Sequence, residues 1–303
     1  MKFNTYLKSC REHNALTQEE LVNDLYSYDI DMFEGLDTST LSKWERGITH
    51  PKAAKQVSII KYFQKETGVV LPCWDTYTIQ EAEKQICQAG VKNLLGKSKQ
   101  LVLNFPSNMM HFEDFKVFPV RHSDRMDTLL DINMDLHKNA NHPFAQISLE
   151  QFTTWSLHPS NLFLICEYKN NILGLFFSIR LKPEIFQKII NFEMKKCEIS
   201  IEDFASFDEM GSNFMLSFYA LNDKVATMMF IRYYAHLIAN QTKIKEIGVI
   251  TALDDVKKVV NNMNLEEIKS MVANDQVELK SYKQSLSNVL VSENVVKMLF
   301  SKI

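Results

Sequence analysis

Between positions 37 and 47 the chain reads Asp-Thr-Ser-Thr-Leu-Ser-Lys-Trp-Glu-Arg-Gly. Asp37 is an N-cap residue and Gly47 a helix stop, so this run predicts a short helix that opens with hydroxyls. At helical spacing Leu41 and Trp44 share one face, and Thr38, Ser39, Ser42 and Lys43 lie on the other. Hydroxyls and one amine at the start of a helix suit base edges in a major groove. Other reactive residue types are spread out. Cys10, Cys73, Cys87, Cys166 and Cys197 are odd in number, and no two have metal-clip spacing, so neither a disulfide framework nor a zinc site is expected. Tyr219, Tyr233 and Tyr234 could each supply a phenolic acid, but their spacing reads as packing against a core. The acid pairs Glu202-Asp203 and Asp208-Glu209 read as a surface loop.

The elements that would hold the 37–47 helix are themselves legible. Phe3, Tyr6, Leu7 and Cys10 recur at helical spacing. Thr17 followed by Glu20 is a capping box that starts a second helix with Leu21, Val22 and Leu25 as its buried stripe. Residues 27–37 form an irregular connection in which Met32 and Phe33 pack down. Pro51 suits the first turn of a last helix that buries Val57, Ile60 and Phe63 and ends at Gly68. Charge is divided within this region: residues 1–36 hold three basic and seven acidic side chains, residues 37–65 six basic and two acidic. Positive charge is gathered where phosphates would lie.

Two short helices meeting through a connection, the second polar and capped, follow the helix-turn-helix plan. The runs Leu16-Thr17-Gln18-Glu19-Glu20-Leu21 and Leu36 to Gly47 resemble the lambda-repressor-like (Xre-type) family. The resemblance implies a recognition helix anchored by Leu41 and Trp44, with Gln18 beside a phosphate and Arg46, Thr49 and Lys52 near the backbone. The link between the two helices is about seven residues longer than the usual tight turn of helix-turn-helix proteins. A helical bundle that docks protein is the alternative reading.

Residues 69–75 read as a connection and 76–95 as a linker helix carrying Ile79, Ala82, Ile86, Ala89 and Leu94. From 116 onward strand and helix patterns alternate. Strands are predicted at 116–121, 161–169, 172–181, 213–220, 246–251 and within 276–291, and helices at 123–137, 148–157, 183–196, 224–240 and 254–263. Lys169-Asn170-Asn171 marks a hairpin turn. This order resembles the GNAT acyltransferase fold over residues 116–291. In that family the strand matching 213–220 leads into a glycine-containing loop whose backbone N–H groups, at a helix N-terminus, hold the pyrophosphate of coenzyme A. Here the matching residues are Asn222-Asp223-Lys224-Val225-Ala226-Thr227, and Val260 stands where the family places a tyrosine general acid. Both departures point to a domain without catalysis. The resemblance implies a cleft, and Phe176, Phe218, Tyr219, Asn222 and Lys224 are the expected ligand-binding residues.

Composition frames these readings. The 303 residues carry a formal charge of −3, and only eight are glycine, few places for a backbone to wrap a phosphate. No apolar run approaches a membrane span and the first residues lack a signal-peptide core, so a cytoplasmic location is expected. The expected architecture is an α-helical helix-turn-helix bundle at 1–68, a linker at 69–115, and a GNAT-like α/β domain with a mixed central sheet at 116–303. The expected function is a sequence-specific regulator that binds a double-stranded DNA operator as a homodimer. A small-molecule effector or dimer contact would act through the second domain. Neither metal nor resident cofactor is expected, the cleft being left for acyl-CoA or another small ligand. The alternative is an active N-acetyltransferase targeted to DNA.

Overall fold

The computed structural model of the chain describes residues 1–95, 105–139, 147–252, 256–272 and 277–300. Five helices come first. α1 (Phe3–His13) buries Phe3, Tyr6, Leu7 and Cys10 along one face. α2 (Gln18–Tyr28) opens on the Thr17–Glu20 capping box, with both reciprocal hydrogen bonds formed. α3 (Ile30–Phe33) is a single turn that takes up the long connection and buries Phe33. α4 (Thr38–Glu45) and α5 (Ala53–Thr67) follow, and Gly68 closes α5 in the left-handed conformation with φ +67°.

The stretch read as one helix over 76–95 is two: α6 (Ile79–Gln85) and α7 (Gln88–Leu95). The break lies at Ile86, whose backbone is extended. There the Cys87 N–H donates to the Met298 carbonyl, 3.0 Å away, instead of continuing the helix. Gly90 permits that crossing, since a Cβ at this position would lie 2.4 Å from the Met298 Cα.

The rest is a seven-stranded sheet with helices on both faces. In chain order it comprises β1 (Phe115–Pro119), α8 (Met126–Asn139), α9 (Leu149–Leu157), β2 (Leu162–Tyr168), β3 (Asn171–Leu181) and α10 (Pro183–Ile190). Then come β4 (Gly211–Ala220), α11 (Asp223–Ala239), β5 (Ile244–Thr251), α12 (Val256–Asn262), β6 (Glu266–Val272), β7 (Glu278–Ser285), α13 (Leu286–Leu290) and α14 (Glu293–Phe300). The sheet order is β1-β2-β3-β4-β5-β7-β6, antiparallel except for the parallel β4–β5 pair. Lys169 and Asn170, at φ +48° and +65°, make the hairpin turn between β2 and β3, matching the two positive φ angles of a type I′ turn.

The sequence reading differs from the structure in further places, the first being the helix expected over 183–196, which stops at Ile190. The strand expected within 276–291 ends at Ser285, whose hydroxyl caps α13 by accepting from the Asn288 N–H. β6 was not expected; its side chains are almost all exposed, so it lacks the alternation that marks a half-buried strand. α14 was not expected either.

α11 lies across one face of the sheet, close enough that a Cβ on Gly174 would come within 2.6 Å of Val225. α10 covers the other face, where a Cβ on Gly248 would meet Ile190 and Phe186 at 2.7 Å. The core runs on from the sheet into the N-terminal helices without a gap at 68 or 115. Phe3, Tyr6 and Trp74 all pack on Phe300, with ring centroids 5.3, 5.0 and 5.9 Å away. The Leu71 N–H donates to Gln241, and the Gln64 amide donates to the carbonyls of Val70 and Ser287. Among the described residues no helix is long and apolar enough to cross a membrane.

Candidate nucleic-acid interface and ligand cleft

α4 is positioned from both ends and from behind. At its start Asp37 accepts from the Thr40 N–H at 2.6 Å. The Thr40 hydroxyl, and then its backbone N–H, hold the Asp37 carboxyl below the usual carboxylate range. At its end Gly47, with φ +71°, turns the chain so that the Ile48 N–H donates to the Lys43 carbonyl at 2.9 Å. Behind it Glu45 is buried and accepts from three donors. Arg11 grips it in bidentate fashion, Nε at 2.6 Å and Nη2 at 3.1 Å, and Gln18 Nε2 adds a third bond at 2.8 Å. One carboxylate thereby ties α1, α2 and α4 together, and the charge-assisted bidentate pairing fixes direction as well as distance.

With Leu41, Trp44 and Glu45 buried, the opposite face of α4 is turned outward. Thr38, Ser39, Lys43 and Arg46 are exposed and Ser42 is half-buried; Thr49 and Lys52 are exposed just beyond. By helical spacing Thr38, Ser39, Ser42 and Lys43 share the face of α4 opposite Leu41 and Trp44. Gln18 differs: it is half-buried, and its amide is engaged with Glu45.

The second site lies where the sheet forks. β4 and β5 are paired only from Gly211 to Met215, opposite Ile244 to Val249, and both strands run on beyond that point. A β-bulge falls at the fork: Phe177 faces Ser217 and Ser178 faces Met215, leaving Leu216 without a ladder partner. Beyond Met215 the two strands are no longer paired with each other. The Ser217 hydroxyl, just past the fork, is buried with no hydrogen-bond partner among the described residues. Nothing in the sequence marked it, because a serine within an apolar strand carries no spacing signal.

The five residues expected to bind a ligand do not come together. Phe176 pairs with Phe218, and Leu175 pairs with Tyr219, so Tyr219 lies on the opposite face of the sheet from the two phenylalanines. Phe176 is fully buried against Tyr233 and Phe230, at 4.5 and 6.1 Å between centroids, and Phe218 packs on Phe230 at 5.0 Å. These two are core under α11. Tyr233 and Tyr234 are core as well. Burial raises both phenols above their ordinary range, and Tyr234 adds to this at Tyr233.

Asn222 and Lys224 sit at the N-terminus of α11, the place where a diphosphate would be held. The Asn222 side-chain oxygen Oδ1 already accepts from the N–H groups of Lys224 and Val225, at 3.0 and 3.1 Å. The Lys224 ammonium donates to the Met110 carbonyl at 2.5 Å and lies over the Phe112 ring. The segment from Phe105 crosses this end of the helix, its N–H donating to the Leu221 carbonyl at 3.1 Å. The donors that would hold a coenzyme A pyrophosphate are therefore taken by the chain itself, and the residues present do not fit that group. Val260, at the position of the family's tyrosine, is buried in α12. Among the described residues no three His, Cys, Asp or Glu side chains gather as metal ligands.

No family model and no curated protein matches the chain. Solved structures align with part of it. One is an N-acetyltransferase from Staphylococcus aureus, at 11% identity over 57% of this chain and 97% of that one, with a TM-score of 0.38. Another is the loading GNATL domain of CurA from Lyngbya majuscula, at 11% identity over 57% and 98%, with a TM-score of 0.40. A third is FeeM, an N-acyl amino acid synthase from uncultured soil microbes, at 8% identity over 58% and 91%, with a TM-score of 0.38. At these identities and TM-scores the alignments say nothing of what the chain does.

Proposed function

We propose that the chain is a sequence-specific DNA-binding transcription regulator whose second unit, of acyltransferase-like topology, senses a small ligand or dimerises and carries out no catalysis. The observation that carries the reading is the outward face of α4. A short capped helix presents Thr38, Ser39, Ser42 and Lys43 together while Glu45 locks its back to α1 and α2. Hydroxyls and an amine on a rigid helix face read base edges, and Arg46, Thr49 and Lys52 alongside serve phosphates. The concentration of basic residues after position 37 supports the same assignment.

One such helix touches too few bases for tight specificity, so the regulator acts as a homodimer on two half-sites about 34 Å apart. The effector site is the fork beyond Met215, with Ser217 and Tyr219 from one face of β4 available to a small polar or acyl ligand. An effector works here only by binding one arrangement of the bundle better than another. Selection from random DNA with the full chain tests the proposal. It should converge on a two-fold pair of half-sites, and sedimentation should show a dimer on them. Failure to enrich any sequence would end the DNA reading. Steady turnover of acetyl-CoA on an amine, abolished by Tyr219→Phe, would promote an enzyme in its place.

A further inference from the structure

Cys10 and Cys73 stand 63 positions apart in the sequence, yet their sulfurs are 3.3 Å apart. Cys10 belongs to the buried face of α1 and is fully enclosed. Cys73 is half-buried, in the turn Leu71-Pro72-Cys73-Trp74, closed by the Trp74 N–H donating to the Leu71 carbonyl at 3.2 Å.

That turn is unusual in one respect. Cys73 is its third residue and has φ +63°. Pro at the second position with positive φ at the third is the pattern of a type II turn, where glycine is the residue of choice. A cysteine there accepts a conformation that its Cβ disfavours, and strain of this kind tends to persist where the side chain has a task. Its thiol lies against Cys10.

We propose that Cys10 and Cys73 form a reversible disulfide that fastens α1 of the bundle to the 69–75 turn, with a peroxide as the oxidant. Closing the present 3.3 Å gap to a bond of about 2.05 Å needs only ~1.3 Å of relative movement. Cys73 is the entry point because it is the one that solvent reaches. The shared hydrogen bond with Cys10 also draws its thiol below the ordinary range, and the same contact, with burial, pushes Cys10 up. The Cys73 thiolate attacks one peroxide oxygen; an S–O bond forms, the O–O bond breaks, and the departing hydroxide takes up a proton as water. The Cys10 sulfur then attacks the Cys73 sulfenic acid; the S–S bond forms, the S–O bond breaks, and the Cys10 proton leaves with the hydroxide as a second water. Two thiols and one peroxide give one disulfide and two waters.

The other cysteines are placed differently. Cys166 is buried in the sheet, and burial pushes its thiol up to about 12. α1 also carries Arg11, one of the residues that hold Glu45 behind α4, so fastening α1 would steady the DNA-reading helix. That consequence rests on the proposed function; the disulfide does not.

The test is thiol mapping of the full chain after treatment with one equivalent of hydrogen peroxide, then alkylation under denaturing conditions and mass spectrometry. Untreated protein should alkylate at all five cysteines. Treated protein should alkylate at Cys87, Cys166 and Cys197 only, with the Cys10 and Cys73 peptides joined and released by dithiothreitol. Cys10→Ser should leave Cys73 trapped as a sulfenic acid that reacts with dimedone. Cys73→Gly, which suits the turn and keeps the fold intact, should leave Cys10 alkylated. Five free thiols after treatment, a different pair joined, or oxidation of Cys73 alone in the wild-type chain would each overturn the proposal, whether or not the protein binds DNA.

Discussion

His236 is buried in α11 beside two guanidinium groups. Burial first, then the charges of Arg180 and Arg232, lower its pKa to about 4. An unfolded histidine titrates near 6.5. The folded state therefore holds a neutral ring where the unfolded chain takes up a proton. Stability is whole above pH 6.5 and falls as pH drops from there toward 4. At pH 5 the loss relative to pH 7.5 is about 2 kcal/mol from this residue. Urea unfolding at the two pH values should show that loss in the wild type and a smaller one in His236→Gln; equal losses would remove His236 as the cause. The residue scale is also where the sequence was least transparent. Thr38, Ser39 and Lys43 were legible on their helix face because a face follows from local spacing. The Glu45 clasp and the Cys10–Cys73 contact were not, because each joins positions 34 or 63 apart and no local pattern records the partner.

At the scale of elements, the start of α11 is the feature on which the non-catalytic reading turns. Asn222 is a buried N-cap that satisfies two N–H groups at once. Asn222→Ala should cost about 1–2 kcal/mol in urea unfolding. A neutral result would mean that those N–H groups do not depend on Asn222 and could serve a ligand instead. Most elements were readable from caps and periodicity. Thr17 with Glu20, Asp37, Gly47 and Gly68 mark helix ends that the structure contains within a residue or two. The misses have physical causes. β6 is an exposed edge strand rich in charge, so its pattern is that of a loop. The division of the 76–95 helix comes from α14 crossing at Gly90, a tertiary contact that overrides helical periodicity. The residues expected to bind a ligand divide between two faces of the sheet because spacing alone does not give the register that sets Phe176 and Tyr219 on opposite sides.

At the scale of the whole molecule, the bundle and the sheet share a core. Phe300 is the junction, with Phe3, Tyr6 and Trp74 packed around it. Phe300→Ala should cost about 3–5 kcal/mol, and amide exchange should quicken in α1 and α14 together. Quickening confined to α14 would mean that the two parts are energetically separate. The claim on which the proposed function depends is that α4 reads bases. The most direct measurement is binding of Lys43→Ala and Lys52→Ala to the selected operator, its single-base variants and random DNA over a series of salt concentrations. Lys43→Ala should relax preference at one base pair by about 1–3 kcal/mol, while Lys52→Ala should weaken all sequences alike and lower the salt slope by about one. Equal losses by both variants on operator and random DNA would contradict the assignment of α4 as the reading helix.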